Sequence, residues 1–124
     1  MSKITATRQE DYTILKVDES KLIVGVAPKV TAKLVVLKGE GVKNLILDIS
    51  GVKYIDSSGL SALLMANRLF SKEGRCLFVV ATDYVKKLIE IAQLHTILQI
   101  FPSVEKAIDA IKMKRIEKNS DKDD

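Results

Sequence analysis

The run Leu45-Ile46-Leu47-Asp48-Ile49 constrains this chain more than any other feature. It is short and almost continuously apolar, the pattern of a strand covered on both faces, as in a parallel sheet. A parallel strand needs a crossover, and the residues that follow supply one. After a turn at Ser50 and Gly51, the stretch YIDSSGLSALLMANRLF places Asp, Ser and Gly directly before a long apolar periodic run, the signal of a helix N-terminus. Gly74 closes that helix, and Cys76 to Ala81 reads as another buried strand.

The remaining segments extend the alternation. Residues 3–8 and 12–17 alternate as half-buried strands do, with Ile4 and Ala6 on one side of the first, and Tyr12 and Ile14 opposing Thr13, Leu15 and Val17 in the second. Gln9, Glu10 and Asp11 form the turn between them. The apolar run Leu22 to Val26 precedes Pro28, whose fixed φ suits the first turn of a helix; Val30, Leu34 and Leu37 then recur at helical spacing until Gly39 and Gly41. Thr82 or Asp83 caps a third helix with Val85, Leu88, Ile89 and Ala92 on one face, and residues 97–101 form a short edge strand. Pro102 and Ser103 open a fourth helix with Val104, Ala107, Ile108 and Ile111 inward. The pattern predicts an α/β fold: a mixed sheet with an N-terminal hairpin and parallel later strands, packed with about four helices. Residues 1–111 form its one domain, and 112–124 a charged extension of the last helix that frays into KNSDKDD.

Charge and composition exclude several classes of function. Lys plus Arg number 20 against 16 Asp plus Glu, a net +4, but the densest basic segment, Lys112, Lys114, Arg115 and Lys118, runs into Glu117, Asp121, Asp123 and Asp124. That is a mixed-sign solvated end, and with no Trp, three Tyr and three Phe the chain lacks stacking platforms, so nucleic-acid binding is set aside. No stretch approaches the roughly 20 apolar residues of a membrane span, and the polar start MSKITATRQE is unlike a signal peptide, so a cytoplasmic location is expected. Cys76, the one cysteine, sits in CLFVVA and reads as a buried structural thiol. His95, the one histidine, lies in IAQLHTIL with no partners for a metal, and serves a capping or satisfied polar role after the third helix. With no base for a serine nucleophile, no G-x-S-x-G and no Gly-rich phosphate cradle, neither catalysis nor a cofactor or metal is expected.

Residues 48–60, DISGVKYIDSSGL, carry the chemistry that remains. They join a buried strand to a helix N-terminus through small polar residues, which places hydroxyls at the surface. Ser57 and Ser58 sit where side-chain oxygens can accept free helix N–H groups, and where the same donors and the helix dipole favour a phosphate. On spacing alone this is a cap. On a wheel at about 100° per residue, helix 57–73 exposes Ser61, Arg68 and Lys72 and turns Leu60, Leu63, Leu64 and Phe70 to the core. Met65 and Leu69 stand on its flank, where Met65 borders a candidate partner-binding surface.

The segment LILDISGVKYIDSSGLSALL resembles the hallmark of bacterial STAS-domain anti-sigma factor antagonists, a strand ending in D-[LIV]-S followed by a D-S-S-G-L loop. The similarity runs through residues 40–111 and covers the first 40 by pattern only. It implies a non-enzymatic switch in transcription regulation. Ser57, the first serine after the loop aspartate, would be phosphorylated by an anti-sigma factor, a serine kinase with a histidine-kinase-like ATPase fold, and a PP2C-like phosphatase would be the second partner. Asp56, Ser57, Ser58, Gly59 and Met65 become the partner-binding residues, with Ser58 the neighbouring cap and Gly59 letting a partner's backbone approach. On that reading Gly59→Arg blocks the partner and leaves the fold intact. Phosphorylation would add about 1.5–2 negative charges beside Asp56 and weaken docking without unfolding the domain. One departure stands out: where many members carry an aspartate before the first helix, this chain has SKLIVGVAPK, with Ile23 at the acidic position. The alternative is a STAS scaffold, such as a subunit of a lipid-transport complex, whose serine is only a cap.

Overall fold

A computed structural model describes residues 3–123, with side chains for residues 3–113. Strands β1 (Ile4–Arg8) and β2 (Thr13–Val17) form the expected antiparallel hairpin, in register Ile4 opposite Val17, closed where the Gln9 N–H donates to the Tyr12 carbonyl. Helix α1 (Ala27–Gly39) follows, with Pro28 in its first turn and Val30, Leu34 and Leu37 buried. The chain leaves it through Gly41 at φ +89°, a left-handed turn that glycine adopts without strain.

Strand β4 (Asn44–Asp48) is the centre of a five-stranded sheet, flanked in parallel by β2 and by β6 (Arg75–Val79), with β7 (Gln99–Phe101) at the far edge. Alternate residues of β4 and β6 serve two cores, which is why both strands read as continuously apolar. Leu45, Leu47, Cys76 and Phe78 pack with α1 and with α2 (Ser57–Phe70) on one face. Ile46, Leu77 and Val79 pack on the other against Ala107 and Ile111 of α4 (Val104–Asp123). Each fully buried Leu, Ile or Phe contributes about 1.5–3 kcal/mol, and a one-residue slip would exchange the two sets, so the register is strongly specified.

Four expectations need correction. The apolar run Leu22–Val26 is not buried as a unit: β3 is only Lys21–Leu22, pairing in parallel with β5 (Tyr54–Ile55) in a separate two-stranded sheet, and Val24 is 71% exposed. Helix α2 stops at Phe70, with Ser71 as its C-cap, because the turn before Gly74 must bring the chain back to β6. Leu64 is half-exposed and outside both cores; the small Ala62 and Ala66, on the other side of α2, are buried instead. In α3 (Asp83–Ile91), Val85 and Ile89 are buried and Leu88 packs beside them, but the helix ends before Ala92, which is exposed.

Candidate functional site

The site is built where β4 ends. Ile49 continues the ladder by donating its N–H to the Val79 carbonyl at 3.0 Å, and the buried Asp48 carboxylate accepts from the Ser50 N–H at 3.0 Å, turning the chain out of the sheet. The return passes through β5, where the Lys53 and Tyr54 N–H groups both donate to the Ser20 carbonyl. Ile55 is buried, Tyr54 exposed, and the chain then enters α2 through Asp56.

Asp56, not a serine, caps that helix. Its backbone is extended (φ −103°, ψ −173°), and its Oδ1 accepts from the Gly59 N–H at 3.0 Å and from the Ser58 hydroxyl at 2.5 Å. The expectation that Ser57 and Ser58 supply acceptors is therefore corrected: Ser58 is a donor to the cap, because a carboxylate one residue earlier reaches the same N–H with a full charge. The second oxygen, Oδ2, accepts from the Val24 N–H at 3.1 Å, so one side chain joins the β3–α1 turn to the start of α2. The Ser58 hydroxyl above all, then the Gly59 N–H, holds the Asp56 carboxyl below its ordinary pKa.

Ser57 is thereby left over. It occupies the first position of α2, is exposed, and its hydroxyl has no hydrogen-bond partner among the described residues. Gly59 faces the other way. It is buried, and a Cβ there would lie 2.3 Å from the Leu22 carbonyl oxygen and 2.4 Å from Ile55 Cγ1. The close approach that requires glycine is thus to this chain's own β3 and β5, and the expectation that Gly59→Arg spares the fold is withdrawn.

Met65 is half-exposed on α2, but at 100° per residue it stands roughly 80° around the helix from Ser57, whereas Ser61, Leu64 and Arg68 lie within roughly 40° of it. Leu64 is the half-exposed apolar residue on the Ser57 face, and assigning it to the core hid it. Also unforeseen are Val24, whose amide touches Asp56, and a stacked pair formed by Tyr54 and Tyr84, ring centroids 5.9 Å apart and 16° from parallel, both rings largely exposed. The signal for the pair was available in part, since Tyr54 alternates with the buried Ile55. Ile23 is half-buried, and its carbonyl accepts from the Val26 and Ala27 N–H groups at 2.8 Å, so the position at which the resemblance implied an acid adjoins the Val24–Asp56 clasp.

The other singled-out residues lie apart from this loop. Cys76 is buried in β6, and burial pushes its thiol far above the ordinary value. His95 is exposed on a 3-10 turn, Leu94–Thr96, after α3. No helix among the described residues is long and apolar enough to cross a membrane.

The profile of the STAS domain matches residues 3–107. No curated protein matches the chain. Among solved structures, an anti-sigma factor antagonist from Mycobacterium paratuberculosis superposes with a TM-score of 0.80 at 17% identity, covering 88% of this chain and 92% of its own. The phosphorylated form of the Bacillus cell fate determinant SpoIIAA gives 0.67 at 18% identity, over 87% and 98% of the two chains. A sulfate transporter family protein from Wolinella succinogenes gives 0.74 at 22%, over 86% and 89%, so the fold is shared by proteins described in quite different terms. With 105 consecutive residues matched and the hairpin, parallel strands and helices in the expected order, the chain belongs to the STAS domain family.

Proposed function

We propose that this protein is an anti-sigma factor antagonist that docks on an anti-sigma factor serine kinase through the surface around Ser57 at the start of α2 and is released when Ser57 is phosphorylated. The observation that carries the reading is the division of labour at the start of α2. Asp56 satisfies the helix and the neighbouring turn, so Ser57 is exposed with no intramolecular bond to lose. A phosphate there would be accommodated by the helix dipole while adding about 1.5–2 negative charges to a docking surface. Val24 beside the loop, Leu64 on the Ser57 face and the Tyr54–Tyr84 pair supply exposed apolar area for a partner to cover. A charge introduced into such a contact meets a desolvated surface and disfavours the complex by several kcal/mol. A phosphatase of the PP2C type would restore the neutral hydroxyl.

The test is calorimetric titration of the kinase, with nucleotide, against wild type, Ser57→Ala and Ser57→Asp, alongside phosphosite mapping by mass spectrometry. The expected outcome is wild-type affinity for Ser57→Ala, binding weakened at least tenfold for Ser57→Asp, and phosphate on Ser57. Both variants should keep wild-type stability within about 0.5 kcal/mol, as exposed substitutions do. Phosphate on Ser58 alone, or equal affinities for all forms including phosphorylated protein, would favour a scaffold role instead.

A further inference from the structure

On the side of α1 away from its buried face lies an open groove of about 590 Å³, bounded by the edge strand β1 and by one stripe of the helix. The volume falls within the roughly 300–1,000 Å³ typical of small-molecule sites. Its floor is apolar: Ile4 at the start of β1, Val26 at the entry to α1, and Ala32 and Val36 along the helix, Val36 being 54% exposed. Val26 to Val36 spans about 15 Å of helix at 1.5 Å per residue, so the floor is elongated.

The rim is cationic. Lys3, Lys29 and Lys33 line the groove against one acid, Glu19, which is engaged by Lys3 at 3.5 Å. Lys29 and Lys33 stand one helical turn apart and have no acidic partner among the described residues. Like charges at this spacing are mildly unfavourable in an isolated helix, and an anion between them would relieve that repulsion. An elongated apolar floor beside two ammonium groups with no acidic partner among the described residues complements a molecule that is itself an alkyl chain ending in one negative charge.

We propose that this groove binds a single-chain aliphatic carboxylate of medium length, its head at Lys29 and Lys33 and its chain along Ala32 and Val36. The site stands on α1 and β1 and does not depend on the role assigned to Ser57.

The test titrates the full chain with octanoate, decanoate and dodecanoate, below their micellar concentrations, and with the matching primary alcohols, following backbone amide shifts by heteronuclear NMR. Saturable shifts are expected in α1 and β1, with affinity rising about two- to fourfold per added methylene. The alcohols should bind at least tenfold more weakly. Ala32→Trp, which fills the groove from an exposed position, should abolish binding, and Lys29→Glu with Lys33→Glu should weaken it tenfold or more, both with unchanged circular dichroism. Absence of saturation, no dependence on chain length, shifts that map elsewhere, or full binding by Ala32→Trp would each overturn the proposal. Binding of an acidic peptide in place of the carboxylates would overturn it too, by assigning the face to a macromolecule.

Discussion

The β4–α2 and β6–α3 junctions leave adjacent parallel strands and enter helices at the same end of the sheet, yet they use their polar residues in opposite ways. At the first, the cap residue Asp56 turns its carboxylate onto its own helix, binding Ser58 and Gly59. At the second, the cap residue Thr82 makes no such bond; its hydroxyl donates instead to the Val52 carbonyl at 2.9 Å, stapling the loop that leads to β5. The first helical position differs as well. In α3 it is an exposed carboxylate, Asp83, whereas in α2 it is the neutral Ser57. A helix start in this fold therefore already carries a fixed negative charge one strand away, where the macrodipole favours it. On the proposed reading, Ser57 is where such a charge would be added and removed.

The largest expected effect breaks the first junction outright. Gly59→Ala places a methyl group against the Leu22 carbonyl and the Ile55 side chain, and should cost about 3 kcal/mol or more, read as a shift in the denaturant midpoint. Wild-type stability would mean that β3 and β5 can yield, and that the junction is softer than its partner. A smaller effect is expected at Asp56. Asp56→Ala should lower the melting temperature by about 5 °C, with Asp56→Asn between it and wild type, because Asn keeps one acceptor. The Asp56 carboxyl is held below its ordinary pKa in the folded state, so its contribution is present above about pH 4 and is lost as the pH falls through the folded value. The gap between wild type and Asp56→Asn should therefore close on acidification; a gap that widens would contradict the assigned hydrogen bonds. The smallest effect concerns the second junction. Thr82→Val removes one hydrogen bond to the 50–53 loop and should cost about 1 kcal/mol, while Thr82→Ser should restore most of it. If Thr82→Val instead matched Asp56→Ala in its effect on α2, the two junctions would be one coupled unit.

What the sequence disclosed, and what it withheld, follows from the range of the interactions. Thr13, Leu15 and Val17 announced a half-buried strand because alternation is local, and Leu45–Ile49 announced burial on two faces because every position was apolar. The strands β3 and β5 have two residues each, too few for a period to show, and their pairing joins positions 33 apart in the chain. The orientation of Gly59 was illegible in part for the same reason, since the backbone atom that excludes a Cβ belongs to Leu22, although the second obstacle, Ile55, is only four residues away. At the cap, three consecutive residues able to serve competed, and the pattern DSS does not rank them; tertiary geometry did, by giving Asp56 a second donor at Val24. Leu64 was assigned to the core although at 100° per residue it stands on the side of α2 that carries Ser57, Ser61 and Arg68, while the buried Ala62 and Ala66 lie on the opposite side.

The two-residue ladder between β3 and β5 has a further consequence, in the timing of motion. Beyond its own pairing it is held by the Lys53 and Tyr54 amides on Ser20, the Asp56 amide on Leu22 at 3.3 Å, the Val24 amide on Asp56, and the buried side chains of Leu22 and Ile55. None of these hydrogen bonds belongs to the five-stranded sheet, so the strip can open without breaking the β4 ladder, at the cost of unburying Leu22 and Ile55. Native-state hydrogen exchange at Val24, Tyr54 and Asp56 should consequently report local opening, far faster than the amides of Ile46 and Leu77, which should exchange only through global unfolding. Were Ser57 phosphorylated as proposed, the kinase would meet a helix start leaning on this strip, and the frequency of its local opening would bear on how often the hydroxyl is offered in any shape other than the start of a helix.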